Sequence, residues 1–476
     1  MSWAPRQPLV AIIGATGTGK SELAVEIATR FNGEIINGDA MQLYQGLPII
    51  TNKIARDEMK GIPHHLLGCI ALDEETWTVG KFVEKALGVI ENIQNRGKIP
   101  ILVGGTHYYT QSLLFQDALT DEPLTKPNGN NTQEFPVLDE PTGVILERLK
   151  EVDPIIANRW HPNERRKIQR SLEIYLRTGK PASQIYEEQR IQRELSPDHT
   201  ESDLLGLPKT GQVLRFPTLI LWVHADKQNL YERLDTRILK MLNKGLLSEV
   251  HMLTHFRASH DAATRRPVDR TRGIWVSIGY KEFLEYQSAL NDDSSSAEDL
   301  EKMKAVAIKR TQAATRQYAN RQIRWIRIKL LNALGSAGQK KNVFLLDGTD
   351  LTQWKDHVLH PGIEVTGRFL IGDSLPEAPT LSTAAREMLA PKRGYDLAQR
   401  PDLWQKKACD ICGTVAVTEN DWNLHIKSRG HRRAVSTRKK MQNESRIKPK
   451  DIKALHADVV DVLETYLQTF DHEDQK

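Results

Sequence analysis

Cysteine is scarce in this 476-residue chain: there are three, and two of them, Cys409 and Cys412, lie close together. That is too few for a disulfide framework and fits a reducing compartment. A chain of this length buries enough surface to fold without such staples. Long apolar runs are missing as well. No stretch approaches the ~18 uninterrupted apolar residues of a membrane span, and charged residues make up 27% of the sequence. Met1 to Pro8 is too short and too polar for a signal peptide, and Arg6 alone makes a poor transit peptide. No repeat recurs at a fixed period. The expectation is a soluble intracellular protein with no membrane partner, of roughly three structural units.

Charge of one sign is scarce only in the total. Lys and Arg number 66 against 61 Asp and Glu, a net +5. From Trp404 to Lys450, however, twelve cations face four acids, so this segment is +8 and the remainder is −3. A basic module attached to a mildly acidic body points to a polyanion partner.

Leu9-Val-Ala-Ile-Ile13 reads as a buried strand, followed by a glycine-rich turn and a helical pattern from Ser21 to Phe31. Glu34 to Asn37 reads as a second strand ending at Gly38-Asp39, and Ile99 to Val103 as a third ending at Gly104-Gly105-Thr106. Strands alternating with helices predict a parallel α/β sheet with its ligands beyond the carboxyl ends of the strands. Leu119 to Glu140 reads as a loop, and Thr142 to Arg193 as helical and basic. Leu219 to Val223 returns to strand, followed by one long helix from about Lys227 to Leu253. Asn291 to Ser296 is a solvated insert, Lys302 to Leu330 a second long helix, and Val343 to Asp347 a late strand of the same sheet. The Pro-, Ala- and Ser-rich stretch from about Asp373 to Arg400 reads as a linker. Asp451 to Phe470 is an amphipathic helix candidate.

Gly14-Ala-Thr-Gly-Thr-Gly-Lys-Ser21 fits the phosphate-loop pattern G-x-x-x-x-G-K-[ST], and it both follows a strand and opens a helix. Glycines let backbone N–H groups close around phosphate oxygens, and the helix N-terminus adds positive potential. Gly14, Thr16, Gly17, Thr18 and Gly19 would form the cradle. Lys20 would neutralise phosphate charge, and Ser21 would hold Mg²⁺. The motif does not name the phosphate compound. Asp39, at the end of a neighbouring strand, could be a metal-linked acid, a general base, or a turn and helix-cap residue.

Several longer motifs carry a family resemblance. They are Gly-Asp-Ala-Met-Gln-Leu-Tyr44, Gly-Ile-Pro-His-His-Leu-Leu67, Leu-Val-Gly-Gly-Thr-His-Tyr-Tyr109 and Asp-Pro154. They continue with His161 to Tyr175, Thr-Gly-Lys-Pro181, Ile-Gly-Tyr-Lys-Glu282 and Thr-Arg-Gln-Tyr-Ala-Asn-Arg-Gln-Ile-Arg-Trp325. In this order, over about Val10 to Arg327, the chain resembles the tRNA dimethylallyltransferases, also called tRNA isopentenyltransferases.

The resemblance implies transfer of a five-carbon prenyl group from dimethylallyl diphosphate. The acceptor would be N6 of the adenosine just 3′ of a tRNA anticodon, position 37. Asp39 matches the family's base. Lys20, the loop amides, Thr106 and Mg²⁺ would stabilise the diphosphate leaving group. By itself Thr106 reads as a helix cap. The family's diphosphate-binding arginine best matches Arg237, with Arg233 the weaker choice and a surface ion pair the alternative for either. The family usually has Ser after the catalytic Asp, where this chain has Ala40. Gln42 would read the adenine edge or close an internal turn.

The target base must leave its stack to reach a buried carboxylate. In this reading Arg165, Arg166, Lys167 and Arg170 on one helix, and Arg316, Arg321, Arg324 and Arg327 on a later one, contact tRNA phosphates. The plain alternative is two solvated faces. His64 and His65 would line the RNA side or serve as satisfied structural histidines.

Cys409, Cys412, His425 and His431 have the x2, x12 and x5 spacing of a tetrahedral Cys₂His₂ zinc site. Two thiolates and two imidazoles close the shell, so this zinc would be structural. The segment is similar to RNA-associated zinc fingers and to the finger of eukaryotic dimethylallyltransferases. Its basic surroundings would add affinity for the tRNA backbone; a protein-docking or nuclear-targeting tract is the alternative.

The expected fold is a P-loop NTPase-like α/β core with a helical insertion and a C-terminal C2H2 zinc finger. Core segments fall at 1–130 and 206–372, the basic insertion at 131–205, a linker at 373–403, the finger at 404–450 and a tail at 451–476. The expected function is a Mg²⁺-dependent tRNA prenyltransferase, monomeric, with no obligate protein partner. Its compartment would be the cytoplasm, with mitochondrion and nucleus as further compartments. Three rivals stand beside it: prenylation of free adenine nucleotides, an RNA-associated P-loop kinase or ATPase, and a non-catalytic zinc-finger protein with a dead P-loop.

Overall fold

A run such as Leu9–Ile13, apolar at every position, cannot alternate between core and solvent. It must be covered on both faces, which parallel sheets achieve with helices on each side. The computed structural model describes residues 4–116, 135–195, 213–264, 268–290, 295–390 and 404–444. β1 (Leu9–Ile13) leads into α1 (Lys20–Arg30), β2 (Gly33–Asn37), the two-residue β3 (His64–His65), α2 (Val79–Asn95), β4 (Ile99–Val103) and α3 (His107–Leu114). Four helices follow: α4 (Thr142–Val152), α5 (Pro154–Arg159), α6 (Arg165–Thr178) and α7 (Ala182–Leu195). The chain continues with β5 (Thr218–His224), α8 (Lys227–Asn243), α9 (Leu246–Ala263), α10 (Tyr280–Leu290) and α11 (Ala297–Trp325). Then come α12 (Leu331–Ser336), β6 (Val343–Asp347), α13 (His360–Ile371) and α14 (Thr383–Met388). Two strands, β7 (Trp404–Ala408) and β8 (Val415–Thr418), and two helices, α15 (Glu419–Ile426) and α16 (Arg429–Glu444), complete the described chain.

Six strands form one parallel sheet in the order β3-β2-β4-β1-β5-β6. Alternate residues of β1 serve opposite cores: Leu9, Ala11 and Ile13 face one cluster, Val10 and Ile12 the other. The expected parallel α/β class is the observed one. β1 lies between β4 and β5, and β4 lies beside β2. The loops after β1, β2 and β4 therefore emerge side by side at the carboxyl edge.

Tertiary contacts divide the chain into two units, Met1–Pro123 with Arg193–Asp396, and Leu124–Gln192 with Leu397–Lys476. The first unit closes on itself where the second is spliced in. Phe115 pairs with Leu214 in an antiparallel bridge, Gln116 N–H donates to Val213 O at 3.0 Å, and Arg215 N–H donates to Leu114 O at 2.8 Å. In the second unit α4, α5 and α6 share one apolar core of Ile145, Leu149, Ile156, Ile168 and Leu172.

Three expectations change. The single helix from Lys227 to Leu253 is two helices, because Gly245 takes φ +105°, which ends one and starts the next. The stretch from Asp373, expected as a linker, carries α14, with Ala378 and Ala385 buried where small side chains meet the sheet's cores. The second long helix begins at Ala297, where Ser296 accepts the Asp299 N–H as its N-cap. Leu119 to Glu140 is described only from residue 135 and there holds a short 3₁₀ turn, Pro136–Leu138. Asp451 to Phe470 lies outside the described residues.

Candidate active site

The loop after β1 leaves the sheet where only glycine fits. Gly14 has φ +144°, and a Cβ there would stand 2.2 Å from the Val223 carbonyl of β5. The loop braces itself on one carbonyl: Thr18 Oγ1 and Lys20 Nζ donate to Ala15 O at 2.9 and 2.6 Å. Gly17 and Gly19 both take φ +85°. Burial brings the Lys20 ammonium down to about 8; nearby Asp39 opposes the shift and Arg237 adds to it. Ser21 is exposed in the first turn of α1. Thr16 differs from expectation, because its backbone N–H is already donated to Gln322 Oε1 at 2.8 Å and is not offered to a phosphate.

Asp39 follows β2. Asn37 fixes it: Asn37 Oδ1 accepts the Asp39 N–H at 3.0 Å, and Asn37 Nδ2 donates to Asp39 O and Leu66 O at 3.0 and 2.9 Å. The Asp39 carboxylate accepts the Met41 N–H at 3.0 Å. Burial pushes its pKa up, and the Met41 N–H and the Lys20 charge partly oppose this. A carboxyl so raised binds a proton more readily than a surface aspartate, which suits a base that must accept one.

Thr106 stands in the turn after β4, immediately before α3, and its Oγ1 accepts the Ala40 N–H at 3.0 Å. The Tyr318 hydroxyl lies within hydrogen-bond reach of Thr106 and Gln322, and burial raises its pKa. Arg237, on α8, is brought down to about 10 by burial, with Asp39 opposing. Its Nε is buried with no hydrogen-bond partner among the described residues, as are both ring nitrogens of His107. Burial and the Lys20 charge lower His107 to about 3, so the imidazole is neutral at physiological pH. Lys20 and Arg237 thus face one carboxylate. The surplus positive charge and an unused guanidinium donor call for an anion.

The family model described as IPP transferase matches residues 42–329. The chain belongs to the IPP transferase family. The tRNA dimethylallyltransferase of Schizosaccharomyces pombe is 36% identical over 464 residues, covering 94% of this chain and 99% of that one. The enzyme of the same name from Saccharomyces cerevisiae is 35% identical over 433 residues, covering 89% and 91%. Among solved structures, a eukaryotic dimethylallyltransferase described as acting on tRNA matches with a TM-score of 0.70 at 32% identity. That match covers 93% of this chain and 99% of the other. This IPP transferase is accordingly an enzyme, a prenyl transferase.

Other expected site residues of the IPP transferase have varied surroundings. The Gln42 amide N–H₂ donates to Asn52 O at 2.9 Å and to Thr51 O at 3.3 Å, the internal-turn alternative. His64 Nδ1 lies 2.8 Å from Ile62 O, and His65 Nε2 lies 2.7 Å from Glu34. Arg165 donates to the carbonyls of Leu138, Asp139 and Glu140, so it braces that turn. Arg170 pairs with Glu173 at 2.9 Å, and Arg316 with Asp235 at 2.5 Å. Arg166, Arg321 and Arg324 are exposed and make no hydrogen bond or ion pair among the described residues. The Arg327 Nε is buried without a hydrogen-bond partner among the described residues.

Cys409, Cys412, His425 and His431 bring four ligand atoms within 4.8 Å of one another. Cys412 Sγ is 3.4 Å from His425 Nε2, and Cys409 Sγ is 3.6 Å from His431 Nδ1. Tetrahedral zinc with ordinary bond lengths sets sulfur–nitrogen separations of about 3.5 Å, so the donor set fits zinc. The finger's first strand meets the insertion within the same unit. The Arg159 guanidinium lies 4.3 Å from the Trp160 ring and 4.9 Å from the Trp404 ring.

Sequence reading missed Gln322, Tyr318 and His107. The signal was present for one of them. Thr311, Thr315, Ala319, Gln322 and Ile326 form the buried stripe of α11 and its π-helical extension, and an amide on such a stripe needs partners.

Proposed function

We propose that this IPP transferase moves the dimethylallyl group from dimethylallyl diphosphate to N6 of adenosine 37 in tRNA. The observation that carries this reading is the juxtaposition of Asp39, its pKa raised, with two buried cations, Lys20 and Arg237. The adenine N6 lone pair attacks C1 of the allylic chain. The C1–O bond breaks, and diphosphate leaves with the bonding pair. The Asp39 carboxylate takes the proton that N6 loses, preventing a charged amine from building up. Lys20, Arg237 and the remaining loop amides of Gly17 to Lys20 hold the departing oxygens where negative charge grows.

Mg²⁺ takes oxygen ligands and is commonly held by one or two protein groups plus substrate phosphates. The exposed Ser21 hydroxyl and the donor's phosphate oxygens suit it, and it would supply further neutralisation of the leaving group. Exposed, unpaired Arg166, Arg321 and Arg324 are the arginines best suited to tRNA phosphates. The zinc-loaded finger with the basic helix α16 would add backbone affinity.

The test is direct. Purified protein is incubated with dimethylallyl diphosphate, Mg²⁺ and an anticodon stem-loop, with adenosine monophosphate as competing acceptor. A prenyl mass increment on the purine 3′ of the anticodon is expected. Prenylation of the free nucleotide alone would overturn the tRNA assignment.

A further inference from the structure

The loops that carry the leaving-group cradle and the base come from different strands, and the sheet alone does not fix their separation. One side chain ties the cradle's loop to the turn after β4, which in turn holds the loop of the base. Gln322 is buried on the inner stripe of α11 and uses both ends of its amide. Its Oε1 accepts the Thr16 N–H of the loop after β1 at 2.8 Å, and its Nε2 donates to Gly105 O after β4 at 2.8 Å. From Gly105 the connection reaches Thr106, whose hydroxyl accepts the N–H of Ala40, next to Asp39. Tyr318, one turn earlier on α11, reaches both Thr106 and Gln322. Gly105 leaves room for this arrangement, since a Cβ there would lie 2.5 Å from Gln322 Nε2 and 3.2 Å from Asp39 Oδ2.

We propose that Gln322 is a positioning residue that sets the distance between the diphosphate cradle and the base Asp39. This rests on the prenyl-transfer reading above. Displacement of carbon-bound oxygen by nitrogen needs the incoming nucleophile, the allylic carbon and the leaving oxygen roughly in line. The cradle fixes the last, and Asp39 orients the first. An error of about 1 Å between them can cost about a hundredfold in rate without weakening either ligand. The amide suits the task because it presents an acceptor and a donor at opposite corners. Glutamate keeps the acceptor and loses the donor; leucine loses both. Thr16 also shows that one amide of the phosphate loop is spent on this brace.

The experiment compares wild type, Gln322→Leu and Gln322→Glu as full-length protein. It measures kcat and KM for dimethylallyl diphosphate, inhibition by inorganic pyrophosphate, stem-loop affinity and the thermal midpoint. Gln322→Leu should lose about a hundredfold in kcat, while pyrophosphate inhibition and stem-loop affinity stay within about threefold. Gln322→Glu places a second carboxylate near Asp39, so the acidic limb of its kcat profile should move to higher pH. A purely structural role would instead lower the thermal midpoint without a selective loss of kcat. Leucine kcat within threefold of wild type at an unchanged thermal midpoint would overturn the proposal. Should the leucine variant not fold, a glutamate variant whose kcat above its acidic limb stays within threefold of wild type would overturn it equally, because it has lost the bond to Gly105 O. An inactive wild type would instead sink the prenyl-transfer reading itself.

Discussion

The Thr106 hydroxyl accepts the backbone N–H of Ala40 at 3.0 Å, tying the residue after the acid to the turn that ends β4. The contact uses the backbone of residue 40, so Ala in place of the family's usual Ser leaves it intact. Thr106 serves Ala40 and Tyr318 together, and Asp39 is held by Asn37 on its other side. The backbone on both sides of the acid is thus fixed, and the Met41 N–H orients the carboxylate itself.

Asp39→Asn keeps the shape and removes the base. Prenyl transfer should fall by about 10²- to 10⁴-fold, the range for a positioned general base. Stem-loop affinity, measured by filter binding, should stay within about twofold. Transfer within threefold of wild type would reject the assignment.

Acidity should limit the reaction from both sides. Asp39 is active as the carboxylate, and burial lifts its pKa above the ordinary 3.8, so kcat/KM should fall on acidification at a higher pH than for a surface aspartate. Lys20 is active as the ammonium, and burial brings it to about 8, so the free enzyme should lose diphosphate affinity as pH rises through that value. A pH profile of kcat/KM for the prenyl donor checks both limbs. A flat alkaline limb to pH 10 would count against Lys20.

Arg237→Gln should raise KM for the prenyl donor and lower kcat together, because its unpartnered Nε awaits an anion present in both ground and transition states. Arg233 donates instead to the Thr349 carbonyl, so Arg233→Gln should affect stability more than KM. Steady-state kinetics of the two variants distinguish them, and equal KM changes would remove the distinction.

Zinc removal should act on one unit. Chelation, or Cys412→Ser, leaves the finger without its four-ligand centre and should raise hydrogen exchange across 404–440. The six-stranded sheet belongs to the other unit, and its strands should keep their protection. Loss of protection in β1 and β4 on chelation would contradict this independence.

Glu34, on β2, is a buried acid bound by Arg96 at 2.5 Å, Lys98 at 2.8 Å and His65 at 2.7 Å. Glu34→Gln should cost about 2–4 kcal/mol in urea unfolding, somewhat under the ~3–5 kcal/mol for breaking a fully buried pair because its partners reach solvent. The hydrogen bond from Arg96 holds this carboxyl well below the ordinary 4.5. Its stabilisation is therefore complete above that value and disappears as pH falls through the lower folded-state pKa.

Some features were fixed by local chemistry and so were open to sequence reading. Apolar runs at Leu9–Ile13 and Leu219–Val223 admit few states other than buried parallel strands. The glycines of the phosphate loop permit one unusual backbone path, and the cysteine and histidine spacing nearly dictates a four-ligand cluster. Other features depend on what lies far away along the chain. The Thr16 amide meets Gln322, which is 306 positions later, and the Ala40 N–H meets Thr106, which is 66 positions later. Arg165 and Arg166 are neighbours in one cationic run, yet one braces a turn and the other is exposed. A hydrogen bond or a pKa shift is a property of distance and of excluded water. Only the folded chain decides which polar groups are brought that close.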